Sequence, residues 1–145
     1  MTAVAATLIV GLAVGCGSSN STTTSTAALS KSAYLAKANA ICKAGNEKQQ
    51  AAQRALGKNP SQAQLTAYVT GTQVPNIQSQ IDQVKALGAP SGDQAVVNKY
   101  LATAQADLNK IKSDPSLAYS GKSDPFADFA AIAHPYGLTA CAANS

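Results

Sequence analysis

The chain has no tryptophan, two phenylalanines, one methionine and one histidine, and Glu47 is its single glutamate. Each shortage removes a class of chemistry. His134 stands without a second histidine, or a cysteine or glutamate at metal spacing, so it reads as a structural or surface histidine. One glutamate and six scattered aspartates offer no carboxylate pair that sequence can place. Serine is abundant but falls in helix caps and in the tract after Cys16, outside the strand-turn-helix setting of a nucleophile elbow. Gly88 and Gly92 flank Pro90 in a turn and precede no GK[ST], which removes a phosphate loop. The expectation is no catalytic residue, no metal and no cofactor. Period-two alternation is missing as well, so no strand is predicted.

What is present is mostly alanine. It dominates a hydrophobic share of 46%, which favours helices packed through small side chains. A length of 145 residues leaves room for one domain after a leader. The net charge of +4 is uneven: residues 31–58 hold six basic residues against Glu47, a local +5. Lys43, Arg54 and Lys58 mark the basic surface, suited to anionic lipid or an acidic envelope protein, or simply a solvated helix face. This face lacks interleaved aromatics, so nucleic acid is not an expected partner.

Residues 3–15 form an apolar run too short to span a bilayer and of the size of a signal-peptide core. Leu12-Ala13-Val14-Gly15-Cys16 resembles a bacterial lipobox, in which the cysteine is diacylated and becomes the new N-terminus. It departs from the usual pattern in Ala13 and in the missing basic residue before the apolar run. Ala13-Val14-Gly15 also suits ordinary signal peptidase, which would release a protein with a free Cys16. The Gly, Ser and Thr tract that follows has no hydrophobic periodicity and reads as a flexible tether. The predicted organisation is a lipoprotein-type signal peptide over 1–15, lipidated Cys16 with its tether over 16–29, and a helical domain over 30–145. With Cys16 acylated outside the cytoplasm, Cys42 and Cys141 are the one pair left for a disulfide; the alternative is two buried thiols.

Spacing of three and four predicts a first helix from Ser30 or Ser32 to Gly57, with Leu35, Ala38, Ile41, Cys42 and Gly45 inward. Ser61 and Gln64 form a capping-box pattern for a second helix, which a phase change predicts to kink near residues 71–75, where Pro75 follows Gly71. Ser91 or Asp93 should cap a third, with Val97, Leu101, Ala104, Leu108 and Ile111 buried. Pro125 should open a fourth that ends at Tyr136, where Gly137 takes a left-handed cap and Leu138 folds back. The fold class is all-α: an up-and-down four-helix bundle with a kinked second helix, pinned by one disulfide.

Tyr34, Ala38, Cys42, Pro75, Leu87, Pro90 and the Tyr136-Gly137-Leu138 run with Cys141 resemble a broad group of small secreted or lipid-anchored helical proteins of Actinobacteria. The resemblance covers most of residues 30–142 and implies the fold, the disulfide and an envelope location. It implies no reaction. His134-Pro135 departs from the uninterrupted helix usual there, so a distorted last turn is expected. The expected function is a non-enzymatic binding or scaffold module, lipid-anchored on the outer face of the cytoplasmic membrane. The alternative is a binder of a small apolar or lipid-like ligand in a cavity opened by the kink, with Tyr68, Ile77 and Tyr100 as walls. The five tyrosines otherwise serve as fillers at the edge of the core.

Overall fold

Ser30 starts the first helix through its own side chain, its Oγ accepting the Ala33 N–H at 3.2 Å. The structure, a computed structural model, describes residues 28–143, which hold helices and turns and no strand. The predicted leader, Cys16 and nearly all of the tether lie outside the described residues. Helix α1 (Lys31–Ala55) buries Tyr34, Ala38, Cys42 and Gly45 along one stripe. Leu35 and Ile41, expected inside, are only partly covered. Tyr34 takes the central place instead.

The capping box at Ser61 forms as its pattern predicts and opens α2 (Gln62–Tyr68). The predicted kink is a π-helical turn over Val69–Gln73, followed without interruption by α3 (Val74–Ala86). Pro75 explains it. The proline has no N–H for the Gly71 carbonyl and its ring would press on that carbonyl, and a wider turn relieves both problems. The Val74 N–H accordingly reaches back five residues to the Val69 carbonyl.

Helix α4 (Gln94–Ser113) follows a turn closed by Pro90 and Gly92. Asp93 stands at its N-cap position, yet its carboxylate does not cap it: it accepts the Tyr136 hydroxyl at 2.7 Å and lies 3.5 Å from the Lys31 ammonium. Tyr100 is buried in α4, and Leu101, placed in the buried stripe by the sequence, is half-buried. Asp107 is buried too, a position the periodicity did not flag. One of its oxygens binds the Lys110 ammonium at 2.8 Å, and the other has no hydrogen-bond partner among the described residues.

The connection after α4 contains a 3₁₀ turn, Pro115–Ala118, and Tyr119, whose hydroxyl meets Thr66 Oγ1 at 2.9 Å. Helix α5 (Ala127–Tyr136) starts two residues later than Pro125 because the Asp124 carboxylate accepts the Phe126 N–H, drawing Pro125 into the preceding turn. It continues through Pro135 to Tyr136, where Gly137 adopts φ 107°. The Leu138 N–H then returns to the Ala133 carbonyl at 3.0 Å and its side chain is fully buried. Full burial of such a leucine contributes about 1.5–3 kcal/mol. A Cβ at position 137 would stand 3.1 Å from Leu35 Cδ1, a second reason for glycine there. A final turn, α6 (Thr139–Ala142), carries Cys141.

Helix α3 packs against both α1 and α4, α4 against α5, and α6 against α1 and α5. The phenol rings of Tyr34, Tyr100 and Tyr136 fill the space between α1, α4 and α5. Tyr34 and Tyr100 therefore belong to the centre of the core and not to its edge. Lys31 closes the outer end of this cluster, its ammonium 4.3 Å above the Tyr136 ring.

Candidate cavity between the helices

Three asparagines on α1 and α3 set the geometry of the site. Asn39 and Asn46 share the helical face of Cys42, three and four residues away, and both reach the C-terminal segment. The Asn39 amide donates to the Gly137 carbonyl at 2.9 Å and accepts the Ala140 N–H at 2.8 Å. Asn46 donates to the Ala140 carbonyl at 2.8 Å. Between them Cys42 and Cys141 are bonded, with an S–S distance of 2.05 Å. Asn76 of α3, buried, donates to the Gly45 carbonyl at 2.9 Å. Gly45 lets α3 come this close: a Cβ there would lie 2.2 Å from Gln80 Cδ.

Beside this contact the helices part around a cavity of about 150 Å³. From α3 it is walled by Ile77, Ile81 and Val84, and from α4 by Tyr100, Leu101 and Ala104. Phe126, Phe129 and Leu138 close the far side, with the disulfide in the wall nearest α1. Ala104 contributes only a methyl where a leucine would fill the space. Asn46, Gln49, Gln73 and Gln80 bring amides to the lining, which contains no Asp, Glu, Lys, Arg or His.

The structure brings together two of the three residues predicted to wall the cavity, Ile77 and Tyr100. Tyr68 is elsewhere, its hydroxyl donating to the Gln49 carbonyl at 3.3 Å. Tyr68 and Ile77 are nine residues apart, about half a turn out of phase on a straight helix, and the π turn does not bring them to one side. Tyr100 offers its ring to the cavity, while its hydroxyl is hydrogen-bonded to Tyr34 Oη. Burial, and then that bond, push the Tyr100 phenol far above its ordinary range. It stays neutral at physiological pH.

Lys43, Arg54 and Lys58 are exposed and form no ion pair among the described residues. Lys43 and Arg54 project from the side of α1 away from Cys42, and Glu47 sits between them. His134 is exposed on α5. A second hollow, about 270 Å³, lies beyond Pro125 and is edged by Lys110, Asp124 and Asp128, with no buried residue in its lining. Among the described residues no group of three histidine, cysteine or acidic side chains is placed to hold a metal ion. The first cavity is the one continuous with the core. Compared with family models, curated proteins and solved structures, the chain matches none.

The asparagine clamps had a readable signal. Asparagine disfavours helix interiors, and Asn39 and Asn46 stand on the apolar stripe of a long helix, where only a specific backbone partner makes them tolerable.

Proposed function

We propose that this chain is a non-catalytic, lipid-anchored envelope module whose helical domain binds a small apolar ligand in the cavity between α1, α3, α4 and α5. In this reading α1, the joined α2 and α3, α4 and α5 are the four rods of an up-and-down bundle. The cavity carries the proposal. An apolar cavity of about 150 Å³ in another protein stays dry and accepts benzene, so the space suits one ring or a short alkyl chain and is too small for a whole lipid. The disulfide supports a location outside the cytoplasm, since such bonds persist in oxidising compartments. The resemblance to secreted and lipid-anchored actinobacterial proteins points the same way.

Saturating benzene should raise the melting temperature of the parent by several degrees, because a ligand at ten times its Kd adds about 1.4 kcal/mol. Ala104→Leu, which fills the space, should abolish the rise. Equal shifts in both proteins, or none in the parent, would count against the cavity as the site.

The anchor has its own test. Cys16→Ala should move the protein from the membrane fraction to the soluble one, because two acyl chains hold stably where weaker contacts do not. Retention of the variant in membranes that withstands high salt would show that Cys16 is not the anchor. Among the described residues no helix is long and apolar enough to cross a membrane.

A further inference from the structure

The polarity of the cavity lining restricts its ligand further. Ionised ligands meet no counter-charge there, and transferring an unpaired carboxylate or ammonium out of water is strongly unfavourable. A wholly apolar ligand, on the other hand, leaves part of the lining unused. Gln49, Gln73 and Gln80 are partly buried, and their side-chain amides form no hydrogen bond among the described residues. Asn46 and Asn76, by contrast, are engaged with backbone carbonyls. Each glutamine amide can both donate and accept.

Helical spacing accounts for this arrangement. In an ordinary α-helix positions four apart diverge by roughly 40°. Gln73, Ile77 and Ile81 follow one another at this interval, close enough in angle that all three reach the cavity. Gln73 thereby adds a polar group to one side of an apolar space.

The geometry points to an uncharged amphiphile as the ligand: an apolar body of about six carbons against Ile81, Val84, Phe129 and Leu138, and a neutral head that donates and accepts hydrogen bonds, such as an amide or alcohol, held by Gln73 and Gln80. This inference rests on the cavity being the binding site, and its test separates the two.

Titration calorimetry on the full chain at pH 7 would compare hexanamide, hexanoate and hexylammonium, which share a chain, with benzene as the reporter of the apolar space alone. Hexanamide should bind at least about thirtyfold more tightly than either ion, and hexanoate should gain as pH falls through its carboxyl pKa. Gln73→Leu with Gln80→Leu should weaken hexanamide about tenfold relative to benzene, and an unchanged helical circular-dichroism spectrum would show that the variant is folded. Hexanoate at pH 7 equalling hexanamide, or the double variant binding hexanamide as the parent does, would overturn the inference while benzene binding upholds the site. If benzene does not bind the parent either, the site itself fails and the inference with it.

Discussion

Replacing Cys42 and Cys141 together by alanine should lower the melting temperature on the order of 20 °C under oxidising conditions. The two cysteines are separated by 99 residues, nearly the whole helical domain. In the chain-entropy model, closing a loop of that length removes about 4.7 kcal/mol of freedom from the unfolded chain. A domain of this size has a total stability of about 5–15 kcal/mol, so the bond is a large part of it. The tail is also held by groups other than the bond: Asn39 and Asn46 bind Gly137 and Ala140, and Leu138 is buried. The variant should therefore fold, with the effect arising in the unfolded state. Alanine is the better replacement at position 42, which is buried, because a serine hydroxyl would require a partner there. A reductant should lower the melting temperature of the parent by a similar amount and leave the variant unchanged. A reductant-insensitive parent, or a variant within about 5 °C of it, would show that the bond restrains only the last turn.

The same residues show what was legible in the sequence. Caps and stops depend on neighbours in the chain, so Ser30, the Ser61 box and the Gly137 turn with Leu138 were readable in place. The all-helical class followed from alanine and three-and-four spacing. Other features depend on partners far along the chain. Asp93 has the look of a cap, but its carboxylate is drawn to Tyr136, 43 residues later. Tyr34 and Leu35 are adjacent and both suit a helix flank. Tyr34 goes inward because Tyr100, 66 residues away, supplies a partner for its hydroxyl. The cavity was half legible for a related reason. Pro75 announced a disturbance near residues 71–75, but which residues meet at the cavity depends on the packing of α3 against α1 and α4.

That tyrosine pair leads to the other large effect: the protein should unfold as pH rises above 10. Tyr34, Tyr100 and Tyr136 are at most 9% exposed. Burial raises all three phenols; the bond to Tyr34 raises Tyr100 further, and the bond to the Asp93 carboxylate raises Tyr136. In the unfolded chain tyrosine releases its proton near pH 10. Above that pH the native state holds more protons than the unfolded one, so stability falls with pH; below it all three are neutral in both states and their contribution is complete. Each phenol subtracts about 1.4 kcal/mol per pH unit while it is protonated in the native state and ionised in the unfolded chain. Circular dichroism between pH 8 and about 12 should show a cooperative loss of helix within about two units above the tyrosine pKa. Tyr34→Phe alone should cost about 1–3 kcal/mol at neutral pH, because the Tyr100 hydroxyl stays buried without its partner. Tyr34→Phe with Tyr100→Phe should recover most of that loss, since two apolar rings of the same shape need no bond. The double variant should also lose a large part of the alkaline slope, with Tyr136 and the partly buried Tyr68 remaining. A double variant as sensitive to alkali as the parent, or one whose destabilisation equals the sum of its singles, would show that the two hydroxyls are not a coupled buried pair.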